Sequence, residues 1–223
     1  MILCIAQVLT ADELETIRAG LRQAAFVDGR QTAGWHARQV KRNAQTAPDD
    51  PRTAALRPLV AAALQRNALL QIAARPRALR PVLFSRYEPG MEYGAHVDDA
   101  VMGGARPLRS DLSLTLFLSD PADYDGGELI VETTAGEDSF RLEAGSMVVY
   151  PSSTLHRVAP VTRGVRLAAV TWVQSLVRDP ARREILFDLD TVRRALHQRD
   201  GKSREFDLLA KSVANLLRLW AEV

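Results

Sequence analysis

Residues 2 to 9 form a short apolar run with the character of a strand, and Thr10-Ala-Asp-Glu13 follows it as a capping box that opens a helix. Within that helix Leu14, Ile17, Leu21 and Ala24 or Ala25 recur at helical spacing and define one core-facing stripe. Gly29 and Gly34 bracket a turn-rich segment, and Ala47-Pro-Asp-Asp-Pro51 reads as a loop. A second helix is expected from about Pro51 to Ala74, with Pro76 and Pro81 stopping it.

From Pro81 the period changes to two. Val82 to Tyr87 is followed by the turn Glu88-Pro-Gly90 and a short stretch from Tyr93 to Asp98. Leu112, Leu114, Leu116 and Leu118 then alternate with Ser113, Thr115, Phe117 and Ser119, a strand with one apolar face. Asp125-Gly-Gly127 turns into Glu128 to Glu132, with which Ser139 to Leu142 is expected to pair. Ser146 to Tyr150, Arg157 to Val161 and Val165 to Val177 supply the remaining strands. Short strands at this spacing, with Gly and Pro turns, predict a sandwich or closed double sheet such as a jelly roll. After Asp179-Pro180 the pattern is helical again, over residues 181 to 199 and 204 to 221, with Ser203 placed to cap the second helix. Leu209, Val213, Leu216, Leu217 and Trp220 share one face of it, which either docks on its own domain or makes a homo-oligomer contact.

Composition narrows the chemistry. The 223 residues carry a formal charge of +2, which gives no electrostatic case for nucleic acid or an anionic membrane. No apolar run approaches the roughly 20 residues that span a bilayer, and Met1 to Ile5 lacks the basic start of a secretory signal, so the expected compartment is the cytoplasm. With Cys4 as the single cysteine, any metal must use histidine and carboxylate. Arginine outnumbers lysine 26 to three, so an arginine must be singled out by position, whereas each of the four histidines is informative.

His96-Val-Asp98 lies in a β context, where residues two apart point to one face. A third ligand is needed, and His156, at the entry of another strand, is the best candidate. Two histidines and one carboxylate on one side of an ion form the facial triad of non-haem Fe(II) oxygenases, although zinc hydrolases use the same set. Arg166 follows ten residues after His156 and shares a strand face with Ala168, Val170 and Trp172. A guanidinium on so apolar a face needs an anion, either a dicarboxylate cosubstrate or an internal ion-pair partner.

Arg86-Tyr-Glu-Pro-Gly90, Tyr93-Gly-Ala-His-Val-Asp98, Asp125-Gly-Gly-Glu-Leu129 and Gly145 to Val161, together with Arg166, resemble the Fe(II)- and 2-oxoglutarate-dependent dioxygenases of the prolyl 4-hydroxylase type. With Thr32-Ala-Gly34, Val40-Lys-Arg-Asn-Ala-Gln45 and the helical C-terminal part, the whole chain is similar to the bacterial PKHD-type hydroxylases. The resemblance implies a mainly β protein with flanking helices: an N-terminal support region over 1–77, a double-stranded β-helix core over 78–175 and a helical C-terminal extension over 176–223. It implies that His96, Asp98 and His156 bind Fe(II), that Arg166 grips the distal carboxylate of 2-oxoglutarate, and that Tyr87 lies near that cosubstrate. The implied activity is hydroxylation of a small-molecule or peptide substrate, with O2 consumed and 2-oxoglutarate decarboxylated to succinate; L-ascorbate is an expected accessory of such enzymes. A cupin-like hydrolase or isomerase using the same three ligands would have no use for Arg166 at its offset from His156, and the intact ligand set argues against a non-catalytic jelly-roll binding or sensor module. The glycine-rich loop 99–110 is either a lid beside the metal or a plain surface connection.

Overall fold

The structure, a computed structural model, describes residues 1–47, 49–105 and 107–223. Thr10 caps the first helix as its sequence requires: its hydroxyl accepts the Glu13 amide at 3.2 Å, and the Glu13 carboxylate accepts the Thr10 amide at 2.9 Å. The helices are α1 (Ala11–Gln23), α2 (Pro51–Arg66), α3 (Ala68–Ala74), α4 (Pro180–Asp200) and α5 (Arg204–Trp220). The expected helix from Pro51 to Ala74 is therefore two. Asn67 leaves helical geometry at ψ 104°, and its side-chain oxygen accepts the Leu70 amide at 2.9 Å, so a capping residue inside the run starts a new helix.

The strands are β1 (Leu3–Ile5), β2 (Phe26–Asp28), β3 (Lys41–Arg42), β4 (Ala44–Thr46), β5 (Pro76–Leu79), β6 (Leu83–Tyr87), β7 (Glu92–His96), β8 (Val101–Met102), β9 (Leu108–Arg109) and β10 (Leu112–Phe117). They continue with β11 (Tyr124–Gly126), β12 (Leu129–Thr133), β13 (Gly136–Phe140), β14 (Met147–Pro151), β15 (His156–Val158), β16 (Val161–Gly164) and β17 (Arg166–Ser175). A major sheet runs β1-β14-β10-β17-β6-β4-β2, with β5 also on β17, and a minor sheet runs β13-β12-β15-β7-β3. All pairings are antiparallel; the expected pairing of residues 128–132 with 139–142 is present only at Ser139 and Phe140, because the partner strand β13 begins at Gly136 and ends at Phe140. Three short strands flank the turn-rich segment, β2 before Gly29 and β3 and β4 after Gly34, and its sequence did not announce them because two or three residues are too few to show a period.

The strand β10 joins the two halves of the core. Leu112, Leu114 and Leu116 pack with Ile17 and Leu21 of α1 and Leu56, Val60 and Leu64 of α2 behind the major sheet. Its polar alternates are buried too, because Ser113 and Thr115 face a cavity between the sheets instead of water. A second cluster, including Tyr87, Phe117, Leu129 and Val131, fills the space between the sheets, and its Tyr87 and Leu129 also line the cavity. Behind the far end of β17, α4 and α5 close on Val177, Leu186 and Val213, with Leu209, Leu216, Leu217 and Trp220 packed against them. The stripe on the last helix thus docks on its own hairpin partner. No helix among the described residues is long and apolar enough to cross a membrane.

The loop 99–110 contains the hairpin β8–β9, with Val101 opposite Arg109; Arg106, in the same loop, lies outside the described residues. Arg109 ties the hairpin down, bonding Asp111 at 2.7 Å and Glu222, next to the C-terminus, at 2.8 Å.

Gly164, opposite Tyr124 in the β11–β16 pair, has φ +71°, and a Cβ there would stand 1.9 Å from the Asp123 carbonyl oxygen. Gly164→Ala should therefore lower stability by at least about 2 kcal/mol, since backbone, not a movable side chain, is in the way. Gly104→Ala, also at positive φ but with nothing within 4 Å, should cost roughly 1 kcal/mol. Denaturant midpoints of the two variants check the difference.

Candidate active site

His96 and His156 stand directly opposite each other where β7 pairs with β15. Along this ladder Tyr93 is the partner of Val158, so three steps on β7 face two on β15: β7 carries a bulge. The extra residue brings Tyr93 and His96 to one face, and their rings stack with centroids 3.6 Å apart. Each imidazole Nδ1 meets a backbone carbonyl, Gly94 at 2.8 Å for His96 and Thr154 at 3.0 Å for His156. A carbonyl can only accept, so both Nδ1 atoms carry the proton and both Nε2 lone pairs are free. Ligand atoms of His96, Asp98 and His156 all lie within 4.8 Å of one another.

The period-two reasoning for His96 and Asp98 holds only in its result. The strand ends at His96, and Asp98 is in the loop beyond it. What holds its carboxylate is Ser113 of β10, whose hydroxyl donates to Asp98 Oδ2 at 2.5 Å and sits 2.8 Å from the Ser152 hydroxyl. The other carboxylate-facing contact is His156 Nε2, 3.7 Å from the same oxygen. Burial, reinforced by the neighbouring His156, holds the His96 imidazole down to a pKa of about 4. Neutral, singly oriented imidazoles beside an anchored carboxylate are a donor set suited to a divalent ion with open coordination positions.

The three residues line a cavity of about 460 Å³ between the sheets. Arg166, 2% exposed, opens into it from β17 with Nε and Nη2 buried and unpartnered among the described residues. Tyr87 is its register partner on β6, with the guanidinium 5.2 Å from the ring centre. Burial pushes the Tyr87 phenol up, against the pull of the Arg166 charge. The Tyr124 hydroxyl is buried near the same guanidinium, whose pull opposes the burial that pushes this phenol up. An internal ion pair for Arg166 is absent among the described residues, so its buried donors are complementary to a carboxylate brought from outside.

The structure thus brings together all five residues singled out in the sequence, and adds others. Lys41 of β3, Asn43 in the link after it and Gln45 of β4 line the cavity, and Trp172 lines it from β17, two residues beyond Val170. Lys41 is 5% exposed, and desolvation brings its ammonium down to about 8. Val101 and Met102 of the β8–β9 hairpin border the same cavity, so the loop 99–110 is part of the site wall.

Comparison with known proteins agrees with this geometry. Residues 82–174 match the 2OG-Fe(II) oxygenase superfamily, and residues 180–222 match the PKHD-type hydroxylase C-terminal domain. The chain is 57% identical over 223 residues, all of both chains, to a PKHD-type hydroxylase of Synechococcus elongatus. Among solved structures, a Pseudomonas putida prolyl-4-hydroxylase is similar with a TM-score of 0.54 at 21% identity, covering 78% of this chain and 92% of the other. HygX of Streptomyces hygroscopicus, solved with nickel, 2-oxoglutarate and hygromycin B, gives a TM-score of 0.54 at 13% identity, covering 79% and 84%.

The low pKa of His96 makes a prediction for the metal-free protein. Below 6.5 the unfolded chain takes up a proton at this histidine that the folded chain refuses until about 4. Stability should therefore fall as pH drops through that window, by up to about 3 kcal/mol. Denaturant unfolding in chelator at a series of pH values checks this, and His96→Gln should show a shallower fall.

Proposed function

The chain belongs to the PKHD-type hydroxylases of the 2OG-Fe(II) oxygenase superfamily, and from that premise we propose that His96, Asp98 and His156 hold its Fe(II) while Arg166 receives the distal carboxylate of 2-oxoglutarate. It is an Fe(II)- and 2-oxoglutarate-dependent dioxygenase. The observation that carries the site assignment is the pairing of β7 with β15, which sets two carbonyl-locked imidazoles opposite each other beside Asp98. The unpartnered guanidinium of Arg166 in the same cavity supports the place of the cosubstrate.

Iron with 2-oxoglutarate and O2 supplies the oxidation, coupling decarboxylation of the cosubstrate to succinate with hydroxylation of the substrate. The chain's own share is binding, orientation and exclusion of water. The Gly94 and Thr154 carbonyls fix the imidazole tautomers, and Ser113 holds one carboxylate oxygen of Asp98, which fixes how that group presents itself. Arg166 offers a planar fork to the distal carboxylate, with the Tyr87 and Phe117 rings around its guanidinium excluding water. No side chain is required as a general base. Residues 78–175 are the catalytic core in this reading, 1–77 support both sheets, and 176–223 buttress the major sheet.

Anaerobic addition of Fe(II) and 2-oxoglutarate should produce the visible charge-transfer band of their chelate, and His96→Ala or Asp98→Ala should abolish it. A wild-type protein without the band, or a band that survives either substitution, would overturn the assignment. Arg166→Ala should weaken 2-oxoglutarate by about 100-fold while changing metal affinity little, as expected for loss of a buried bidentate ion pair. Ser113→Ala should instead weaken the metal by roughly tenfold or more, measured by Mn(II) titration.

A further inference from the structure

Resting on the oxygenase assignment above, we infer that the primary substrate carries an anionic oxygen group, a carboxylate in its simplest form, and that Lys41 receives it beside the iron. Lys41 lies on β3, the edge strand of the minor sheet, opposite Tyr93 in the ladder. Its ammonium stands 4.9 Å from the Tyr93 ring centre, and that ring stacks on His96. Lysine has three protons to place. One goes to the Thr32 hydroxyl at 3.0 Å, whose own proton is directed at Gln45 Oε1 or the Gly29 carbonyl. The other two have no oxygen acceptor among the described residues, and Asp98 and Asp28 act on the charge only through space.

A buried ammonium with one neutral acceptor is an expensive arrangement unless a ligand completes it. Two of the cavity's charges have counterparts in the loaded enzyme. The Asp98 carboxylate is committed to the metal, and Arg166 to the distal carboxylate of 2-oxoglutarate, on the major-sheet wall. Of the two other cations that line the cavity, Arg80 is half-buried, and Lys41, on the opposite sheet, is the one that is buried. Two residues on, in the link between β3 and β4, Asn43 is also buried on the cavity wall, and its side chain acts on the Tyr87 phenol. Gln45, on β4 of the major sheet, donates to Ser85 at 3.1 Å and so is already satisfied. A neutral, apolar substrate would leave two Lys41 protons unpaired at the moment it expelled their water. A carboxylate satisfies them and draws substrate toward the metal.

The test uses full-length protein loaded with Mn(II) and saturating 2-oxoglutarate, which occupies the metal and Arg166 without turnover. Mn(II) shortens the proton relaxation of any molecule held beside it. The probes are a series of alkyl and aryl carboxylates, each matched with its carboxamide. Carboxylates should show relaxation enhancement with apparent affinity about tenfold or more above their amides, the discrimination expected of one buried charge-assisted contact. Lys41→Met should erase the preference and Lys41→Arg should restore part of it, while 2-oxoglutarate affinity changes less than about twofold in both. Lys41→Met is expected to melt at or above the wild-type temperature, since it removes a buried charge, so a loss of the preference does not reflect unfolding. Equal binding of carboxylates and amides, or a preference that survives Lys41→Met, would overturn the assignment. So would a loss of 2-oxoglutarate binding in Lys41→Met as large as in Arg166→Ala, which would make Lys41 a cosubstrate ligand. Failure of wild-type protein to bind 2-oxoglutarate with the metal would strike at the oxygenase reading itself, and is read separately from the probe series.

Discussion

Everything at the site follows from one ladder contact, the placement of His96 opposite His156 where β7 meets β15. Side chains on a strand alternate faces, so a slip of one residue in this pairing would send one imidazole out of the cavity. The bulge in β7 changes the arithmetic locally. In a regular strand Tyr93 and His96, three apart, would lie on opposite faces; here they stack, and the Tyr93 ring becomes both the backing of one metal-facing imidazole and the floor beneath Lys41. The same extra residue leaves the chain to exit the strand at His96, so that Asp98 must be held by something other than the sheet. That something is Ser113, reaching across from the major sheet.

The division of β10 into an apolar and a polar face gives the cavity its stiffness and its chemistry together. Leu112, Leu114 and Leu116 are locked against α1 and α2, and this fixes the positions from which Ser113 and Thr115 look inward. Fully burying a leucine is worth about 2 kcal/mol, so three of them hold the strand far more firmly than the Ser113 hydrogen bond alone could. The helices behind the sheet thus serve the site without touching it. Inside, the chain leaves donors unpaired on both walls: Arg166 on one and Lys41 on the other. Each would be destabilising in an empty, dry core, and each makes sense where anionic ligands arrive from outside.

How much of this was legible in the sequence depended on whether a residue's role was written in period, spacing or type. His96, Asp98 and His156 stood out because histidine is scarce in the chain and His-x-Asp sits in a β context; Arg166 stood out because a charge interrupts an apolar strand face. The capping boundaries at Thr10 and Ser203 were readable for the same local reason. Ser113 was not, since a serine on the polar face of an alternating strand looks solvent-exposed until the second sheet covers it. Lys41 and Asn43 escaped for a different reason. Lys41 sits on a two-residue strand and Asn43 in the link after it, where no period can be seen, and only the pairing of β3 with Tyr93 and β4 with β6 sets that stretch against the cavity. The break between α2 and α3 was hidden by helix-forming neighbours on both sides of Asn67, whose side chain settles the matter by capping.

The C-terminal extension is built into this arrangement through a single acidic node. Asp111, just before β10, accepts the Ser175 amide at 2.8 Å and the Arg109 guanidinium at 2.7 Å, while its carbonyl accepts the Ser152 amide at 3.2 Å. Arg109 also bonds Glu222, and the Glu222 amide is bound to the Leu176 carbonyl at 2.7 Å, so the end of the chain is stitched to the hairpin that borders the cavity. From Ser152 the contacts continue through its hydroxyl to Ser113 and so to Asp98. Removing the extension would strip Arg109 of one of its two carboxylates and expose Val177 and Leu186, which α5 now helps to cover. Loss of that apolar cover would be felt first at the end of β17, and Arg166 lies at the other end of the same strand. The helical hairpin therefore belongs to the framework that keeps both walls of the cavity in register, and this physical dependence gives a reason for core and extension to occur as one unit.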